Sequence, residues 1–411
     1  MRYSFLAGAE VPASVRSAAA YVRGYVCPNF SSGTLLVLLL ACATLTAQTS
    51  VSRLDAALAE AEAYAAAEFD KDPIGSLVVG VVDAGRLAWT KSWGYANTET
   101  RQPATDATYY RIGSITKQFT ALALLQLAER GKLRLSDPLV KHVPEFAQVK
   151  SPYPDAPPIT LVQLATMTSG LAREPSGAFD HSVGSSAKWE QIVLTMLPRV
   201  TYAHEPGTKY LYCNIGYALL GIAIGRAAGQ PFTEYVQQQI LAPLGMRDTA
   251  WAAGPAMRPR LARGYDVSRS GAIDHTGPDR EWDGRGYPVP NGALMSTMKD
   301  LSTFVAWELG SGPDAVLKRE TQEDNYSRVL IGAGDMRGGY GIGFQVQRRG
   351  ALVAYGHGGT TDGFLSQALF DRESKTGVIV FRSVTGGKLR PNEVALRLLE
   401  IVGAGRRKQT D

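Results

Sequence analysis

Apolar residues follow two different periods along this chain, and the period changes with position. Residues 52–70 are rich in alanine and repeat apolar side chains at helical spacing, while 76–94 alternates as two β-strands around a turn at 83–85. Residues 114–131 ("SITKQFTALALLQLAERG") place apolar side chains on one helical face and end at a glycine. The first third of the chain therefore predicts a helix, a β-hairpin and a second helix.

The middle and the C-terminal part of the chain differ in the same way. From about 133 to 290, short helical segments alternate with loops rich in proline and glycine, and strand patterns are sparse. Strand patterns return from 339 to 383, and 391–402 predicts a closing helix. We therefore predict an α+β fold in which both chain ends form one antiparallel sheet flanked by helices, with a helical lobe inserted over about 133–290.

The N-terminal segment has a pattern of its own. Residues 33–47 ("GTLLVLLLACATLTA") form an apolar run that ends in small residues and is shorter than the ~20 residues a membrane-spanning helix needs. This pattern predicts a secretory signal at 1–47, cleaved near Ala47, and a periplasmic or secreted protein. Two alternatives stay open: lipidation of Cys42 in "LLAC", which would anchor the protein to a membrane, and a buried N-terminal helix.

Composition and charge exclude several classes of function. The chain has 411 residues, 45% hydrophobic and 20% charged, which suits one large domain at 48–404 with a short tail at 405–411. The net charge of +5 is spread without a basic run, which argues against nucleic acid as a partner. The cysteines and histidines form no metal-binding motif, and no glycine-rich nucleotide loop is present, so we expect no metal and no organic cofactor.

Ser114 and Lys117 combine a nucleophile with a base. Residues three apart on a helix share one face, so Lys117 lies one turn from Ser114. A serine hydroxyl is a poor nucleophile without a neighbouring base, and a lysine becomes a base when burial lowers its pKa. Two further S-x-x-K strings, at 185–188 and 296–299, lie in a loop rich in glycine and serine and at an exposed helix start, and we interpret both as structural.

A tyrosine and an asparagine flank Cys213. Tyr212 and Asn214 follow a turn and precede the helix-forming stretch "IGYALLGIAIGRAAG". A tyrosine near cations can carry a proton between a serine and a leaving group, and an asparagine can donate to a substrate carbonyl. A second Tyr-x-Asn copy, at 95–97, comes just after a predicted strand, and we interpret it as a turn.

The stretch "YGHGGTTDGF" (355–364) is a third candidate. Gly358 and Gly359 allow the close approach of a backbone, as where a substrate lies along a strand edge, and His357 could donate to a carboxylate or help proton transfer. A literal K-T-G string begins at Lys375 between two alternating strands, which predicts a charged hairpin tip without a catalytic role.

Taken in this order, the three motifs resemble those of the penicillin-recognising serine hydrolases, which include class C β-lactamases, DD-peptidases, D-aminopeptidases and esterases of the same fold. Further stretches resemble that family, among them "LVQLATMTSGL", "PLGMRDT" and "NGALMSTMKDLSTF". The resemblance covers about 52–402. It implies a β-lactamase/transpeptidase-like fold and a serine hydrolase that forms an acyl-enzyme with an ester, a D-amino-acid peptide or a β-lactam.

The resemblance also implies roles for the motif residues. Ser114 is the nucleophile, and Lys117 and Tyr212 together take its proton, with the identity of the base left open. Asn214 positions the acyl side chain of the substrate. The backbone N–H groups of Ser114 and Thr360 form the oxyanion hole, next to the third motif.

Three departures from the family's pattern shape the expected function. Cys213 replaces a frequent serine, Met167 stands where the family often has histidine, and His357 stands where many members have lysine. The last change removes a fixed cation for a β-lactam carboxylate, so we rank esters and peptides above β-lactams.

The expected partner is a small-molecule or peptidoglycan-derived substrate, and the oligomeric state stays open. The alternative function is a catalytically weak penicillin-binding or peptidoglycan-sensing protein.

Overall fold

The chain divides into two units at Ala57, and the second unit, Ala57–Asp411, contains almost all of the residues that the structure describes. The structure is a computed structural model, and it describes residues 54–177, 185–276, 286–327, 331–332 and 338–407. The predicted signal segment, 1–47, therefore lies outside the described residues, as does Cys42. In the part that is described, no helix is both long and apolar enough to cross a membrane.

The helices are distributed along the whole of the second unit. In chain order they are α1 (54–70), α2 (Thr116–Glu129), α3 (Leu139–His142), α4 (Leu161–Ala165), α5 (Trp189–Met196), α6 (Asn214–Ala228), α7 (Phe232–Val236), α8 (Val289–Gly292), α9 (Met298–Glu308), α10 (Arg319–Ser327) and α11 (Pro391–Arg407). Short 3₁₀ helices cover Gly113–Ile115, Pro144–Gln148, Ser186–Lys188, Leu197–Arg199 and Arg258–Arg260, and Gln237–Leu241 forms a π-helical turn. The helices predicted at 52–70, 114–131 and 391–402 are present with ends shifted by a few residues, and α11 passes the predicted domain end at 404.

The strands come mainly from the two chain ends. They are β1 (Ser76–Asp83), β2 (Arg86–Asn97), β3 (Gln102–Pro103), β4 (Tyr110–Arg111), β5 (Tyr265–Val267), β6 (Ile273–Asp274), β7 (Met295–Ser296), β8 (Ile331–Gly332), β9 (Gly338–Tyr340), β10 (Gln345–Arg349), β11 (Leu352–Thr361), β12 (Phe364–Asp371), β13 (Thr376–Arg382) and β14 (Val384–Thr385). Among the described residues, nine strands form one antiparallel sheet in the order β3-β2-β1-β13-β12-β11-β10-β9-β8. Because β1 pairs with both β2 and β13, the predicted α+β fold with a sheet from both chain ends is confirmed.

The centre of this sheet is covered by helices. Every residue of β1 ("SLVVGVVD") and β13 ("TGVIVFR") is buried, and such continuous apolar runs are typical of strands that are shielded from water on both faces. Helix α9 packs against β1 and β2, and α11 packs against β11, β12 and β13. The sheet therefore forms a rigid support for β11, the strand that carries the third sequence motif.

Helix α2 packs against α6, a helix of the helical lobe, and both are largely buried. Both are hydrophobic around their whole circumference, and α8 contacts both. The bounds predicted for the lobe, 133–290, stay a prediction, but this stretch is not purely helical. It contains β5, which pairs in parallel with β14 from the C-terminal part of the chain. A local sequence pattern cannot reveal a strand partner so distant along the chain.

A buried ion pair joins the segment ahead of β1 to the end of β13. Arg382 is 1% exposed, and its Nη2 lies 3.3 Å from Asp72 Oδ2. The same guanidinium donates to the carbonyl oxygens of Asp72 at 2.7 Å and of Ile74 at 2.5 Å. Asp72 Oδ2 also accepts from the Lys388 backbone N–H at 2.8 Å. Both chain ends therefore meet at one charged contact.

We expect Arg382→Ala to lower the free energy of unfolding by about 3–5 kcal/mol, because it leaves the Asp72 carboxylate buried without its cation. The stability of Arg382→Lys should lie between that of the wild type and that of Arg382→Ala, since lysine keeps the charge and loses the planar donor fork. Urea denaturation followed by circular dichroism measures both. Arg397→Ala, which breaks an exposed pair with Glu60, serves as the control and should stay near the wild type. Equal losses for Arg382→Ala and Arg397→Ala would contradict this interpretation.

Candidate active site

Ser114 lies in the 3₁₀ turn Gly113–Ile115, directly ahead of α2, where the sequence predicted the first residue of the helix itself. Gly113 has a φ of +50°, a left-handed conformation that favours glycine. A Cβ on Gly113 would lie 2.7 Å from the Thr360 nitrogen, so no side chain fits between this turn and β11. Glycine at 113 thus allows the backbone of Ser114 to approach Thr360.

Lys117 is 0% exposed and lies one helical turn after Ser114. Its Nζ is 3.1 Å from Ser114 Oγ, 2.8 Å from Asn214 Oδ1 and 2.7 Å from the Asn291 carbonyl oxygen. The two amide oxygens can only accept hydrogen bonds, so each uses an N–H of Lys117. A neutral amine then has its lone pair left for the proton of the Ser114 hydroxyl.

Burial lowers the pKa of Lys117 well below its ordinary value of 10.5, because a buried ammonium loses its hydration. Smaller effects follow: the negative charge of Glu174 raises this pKa, and the positive charge of Arg173 lowers it. None of the three hydrogen-bond partners of Lys117 is a carboxylate. The surroundings of Lys117 therefore favour the neutral amine, the form that can act as a base.

The Tyr212 ring is held beside both Lys117 and an arginine. Lys117 Nζ and Arg173 Cζ each lie 4.9 Å from the centroid of the ring. Burial raises the pKa of the Tyr212 phenol, while a hydrogen bond with Ser114 and the charge of Arg173 lower it by less. At neutral pH the phenol therefore keeps its proton and can donate it.

Met167 supports the loop that carries Tyr212. It is fully buried and has a φ of +61°, which is uncommon for a residue other than glycine. Its carbonyl oxygen accepts from the Leu211 N–H at 2.8 Å, and its sulfur lies 3.2 Å from the Cys213 nitrogen. The residues on both sides of Tyr212 are therefore tied to one buried residue, Leu211 to its backbone and Cys213 to its side chain, which fixes the position of the phenol.

Asn214 begins α6 and links the lysine to a carboxylate. Its Oδ1 accepts from Lys117, and its Nδ2 donates to Glu174 Oε1 at 2.5 Å. The Tyr287 hydroxyl donates to the other oxygen, Glu174 Oε2, at 2.6 Å. Because a carboxylate only accepts, Glu174 fixes which way the Asn214 amide faces. One hydrogen on Nδ2 remains for a substrate, which is the role predicted for Asn214.

The second half of β11 offers an open strand edge beside Ser114. Among the described strands, β10 pairs with β11 only as far as Gly356, and the residues from His357 to Thr361 pair with β12 alone. Gly359 is required here, because a Cβ would lie 2.0 Å from the Ile112 carbonyl oxygen. The backbone of Thr360 is thereby placed next to that of Ser114, as two oxyanion donors would need.

His357 is buried and uncharged. Its Nδ1 lies 2.5 Å from the Gly358 carbonyl oxygen, so Nδ1 carries the proton and Nε2 accepts from the Tyr340 hydroxyl at 3.0 Å. Burial lowers the pKa of His357 to about 3, with a smaller effect in the same direction from Lys117 when that amine is protonated. A neutral imidazole with both nitrogens engaged supplies no cation, which disfavours the alternative that His357 binds a carboxylate.

The candidate residues converge on one cavity of about 1080 Å³, which is large enough for a drug-sized molecule or a short peptide. Its described lining includes Ser114, Tyr212, Asn214, His357, Gly358, Gly359 and Thr360. Among all residues that the structure describes, no group of three or more histidine, cysteine, aspartate or glutamate residues could hold a metal ion. A nucleophile, a neutral amine, a protonated phenol and two adjacent backbone nitrogens together suit attack on a carbonyl carbon.

The other S-x-x-K, Tyr-x-Asn and K-T-G strings, which we interpreted as structural, do not line the cavity. Lys375 occupies the turn between β12 and β13, with a φ of +55°, as expected for a hairpin tip. Ser185 accepts from the Ala187 N–H at the start of a 3₁₀ helix, and Ser296 is buried within β7. Asn97 Oδ1 accepts from a backbone N–H in the turn after β2.

Several residues of the site were not identified from the sequence. The Asn291 carbonyl oxygen holds Lys117, Tyr340 holds His357, and Glu174 orients Asn214. A backbone carbonyl leaves no residue-specific signal, and Tyr340 lies outside the three motifs of the site, although it begins the family-like stretch "YGIGF". Arg173 and Glu174 directly follow the family-like stretch "LATMTSGLA", and this adjacency is the one signal that could have identified them.

Known proteins resemble this chain over most of its length. The family model described as Beta-lactamase matches residues 59–400. "Protein flp" of Staphylococcus aureus (strain COL) is 28% identical over 317 residues, which are 77% of this chain and 61% of that protein. The chain therefore spans less than two thirds of the length of this curated relative.

Solved structures share the fold. The octameric penicillin-binding protein homologue from Pyrococcus abyssi aligns with a TM-score of 0.69 and 24% identity, covering 84% of this chain and 77% of that one. The D-amino acid amidase from Ochrobactrum anthropi SV3, complexed with L-phenylalanine amide, aligns with a TM-score of 0.68 and 22% identity, covering 88% of this chain and 100% of that one. At these identities the likeness concerns the fold, and it agrees with the predicted β-lactamase/transpeptidase-like architecture.

Cys213 packs and caps a helix. Its sulfur is buried, lies 3.4 Å from the Ala172 carbonyl oxygen and accepts from the Gly216 N–H at 3.2 Å, and burial raises the pKa of its thiol to about 12.

We expect Cys213→Ser to keep the wild-type stability, because serine is a good N-cap, and Cys213→Ala to lose about 0.5–2 kcal/mol of unfolding free energy. Urea denaturation of the two variants measures this difference. A serine variant as unstable as the alanine variant would show that the cap contributes nothing.

Proposed function

The chain belongs to the beta-lactamase family, and from its site we propose that it is a serine hydrolase that forms an acyl-enzyme on Ser114. The observation that carries this proposal is the environment of Lys117. A buried amine with two carbonyl acceptors and one serine hydroxyl around it can take a proton from that hydroxyl. The Tyr212 phenol beside it keeps a proton that a leaving group will need.

In the acylation step, Ser114 Oγ attacks the substrate carbonyl carbon while its proton moves to Lys117 Nζ. The carbonyl oxygen becomes an oxyanion between the backbone N–H groups of Ser114 and Thr360. The bond to the leaving group then breaks, and Tyr212 passes the proton on to that group. Tyr212 is reprotonated from Lys117, so the amine is neutral again when the leaving group departs.

In the deacylation step, water attacks the acyl carbon and gives its proton to Lys117 Nζ. The ester bond to Ser114 Oγ breaks, and that oxygen recovers a proton from Lys117. Asn214 stays in contact with Lys117 throughout and offers its remaining Nδ2 hydrogen to the acyl part of the substrate. The steps balance with water as the second substrate.

We propose esters or D-amino-acid peptides ahead of β-lactams as substrates. The support is His357, which leaves the strand position on β11 without a charge for the carboxylate that every penicillin presents next to its reacting ring. The names of the aligned proteins include both an amidase and a penicillin-binding protein homologue, so the fold itself does not select among these chemistries. We also propose that the protein is exported, on the strength of the apolar run at 33–47.

A fluorescent fluorophosphonate should label the wild-type protein covalently, and Ser114→Ala should remove the label. Fluorescence after denaturing electrophoresis measures this, with Ser185→Ala as the matched control, because Ser185 has a lysine three residues on but lies in a turn. Labelling that survives Ser114→Ala would refute the nucleophile. Stoichiometric labelling by penicillin, without turnover of p-nitrophenyl butyrate, nitrocefin or a D-Ala-D-Ala peptide, would favour the alternative of a binding protein.

The rate should fall as the pH falls through the pKa of Lys117, because protonation removes the lone pair that accepts the serine proton. Burial holds that pKa well below 10.5, so the neutral amine is present over a wider pH range than for an exposed lysine. Lys117→Arg, which keeps donors and charge but does not release a proton, should lower kcat by about 10²–10⁴-fold.

The matched comparison is Tyr212→Phe. It should also slow turnover, since the leaving group loses its proton donor, but it should keep the decrease toward low pH that Lys117 causes. Profiles of kcat/KM against pH for p-nitrophenyl butyrate distinguish the two variants. Loss of that acidic limb in Tyr212→Phe would instead identify the phenol as the base.

A further inference from the structure

Arg173 is the one arginine or lysine among the described residues that line the cavity. Its side chain is 60% exposed, and its guanidinium lies 4.9 Å from the centroid of the Tyr212 ring. Its Nε is 3.8 Å from Glu174 Oε1, which is beyond hydrogen-bond distance. Glu174 uses its two oxygens for Asn214 and Tyr287. The guanidinium therefore has donors available to a ligand in the cavity.

The backbone holds Arg173 in this place. Its carbonyl oxygen accepts from the N–H groups of Asn214 at 3.0 Å and Ile215 at 3.3 Å, at the start of α6. The aromatic ring of Tyr212 gives the guanidinium a surface against which it can lie. A cation fixed in this way loses less conformational freedom when it binds a ligand than a free surface arginine would.

The other charged groups of the cavity give it a polarity. Asp362 follows β11, two residues after Thr360, and Asp266 Oδ1 accepts from the Gly363 N–H at 3.2 Å. These carboxylates line the cavity at the end of β11, whereas Arg173 lies beside Tyr212. Glu174 also lines the cavity, with its carboxylate 3.8 Å from Arg173 Nε, so the attraction for an anion at this place comes from the exposed donors of the guanidinium. The end of β11 has carboxylates and no such donors, so a charged substrate has one favourable orientation.

We propose that Arg173 binds a carboxylate carried by the substrate, so that the site prefers acyl donors with a carboxylate near the scissile bond over neutral ones. The inference rests on the proposed function of the same site and names its substrate class. It also assigns to Arg173 the contact that the sequence offered to His357, whose imidazole is neutral and occupied by Tyr340 and Gly358. A guanidinium matches a carboxylate with two parallel N–H donors.

Two matched pairs of esters test this, because they place the carboxylate on either side of the scissile bond. Phenyl butyrate is compared with 3-carboxyphenyl butyrate, and p-nitrophenyl butyrate with mono-p-nitrophenyl glutarate, each corrected for its rate of alkaline hydrolysis. The wild type should favour the carboxylate member of at least one pair by about 10- to 100-fold in kcat/KM, mainly through KM. High salt should reduce this ratio.

Arg173→Gln should bring that ratio close to one, and Arg173→Lys should keep part of it, since lysine retains the charge without the planar fork. Arg397→Gln, on the outer surface, is the matched control and should leave the ratio unchanged. Circular dichroism and a melting curve check that each variant is folded. A purely structural role of Arg173 would lower the rates of both members of a pair and leave their ratio in place.

Three outcomes would overturn the inference. The wild type could treat charged and neutral esters alike, or Arg173→Gln could keep the wild-type ratio, and either result leaves the proposed function standing. Hydrolysis of none of the four esters, together with no binding of 3-carboxyphenylboronic acid or phenylboronic acid, would contradict the proposed function and this inference with it. Tighter binding of the carboxylate-bearing boronic acid by the wild type than by Arg173→Gln would support the inference independently of turnover.

Discussion

The burial of Lys117 without a carboxylate partner is the constraint on which this site depends. Removing an ammonium from water costs several kcal/mol, and the nearest polar atoms around Nζ are two amide oxygens and one hydroxyl. The neutral amine is therefore the less costly state of Lys117. In that state its Nζ donates hydrogen bonds to the two amide oxygens and accepts one from the Ser114 hydroxyl. The packing of α2 against α6 and α8 creates this situation, since each helix contributes one wall of the lysine's surroundings.

The same burial acts on Tyr212 in the opposite direction. Low polarity disfavours the charged form of any group, which is the protonated form of an amine and the deprotonated form of a phenol. One environment therefore produces a base at Lys117 and a proton donor at Tyr212. When two neighbouring groups have pKa values moved in this way, their acid and base roles follow. The sequence left these roles open because burial is a property of the folded chain.

What could be predicted from the sequence depended on how local each feature is. Ser114 and Lys117 are one helical turn apart, and the strands of the sheet show as short apolar or alternating runs between turns, so both could be recognised without a structure. The charge state of His357 could not, because it depends on Tyr340 and on its depth in the protein. The lysine's contact with the Asn291 carbonyl oxygen and the pairing of β5 with β14 are equally non-local. Strands β5 and β6 were not predicted, because three and two residues are too few to show a periodicity.

Selectivity in such a site comes from groups that play no part in bond breaking. Gly113 and Gly359 fix the distance between the serine turn and β11, and the proposed attack on a carbonyl between two backbone donors needs that distance. The charged side chains around it are free to differ, because moving a cation along the cavity wall alters which substrates bind without altering the attack on the carbonyl. In this chain a neutral histidine occupies the strand position, and the available cation lies on the opposite flank, over the tyrosine ring. If the proposed acyl-enzyme chemistry holds, we therefore expect the distribution of charge on the wall, more than Ser114 and Lys117, to select among acyl donors.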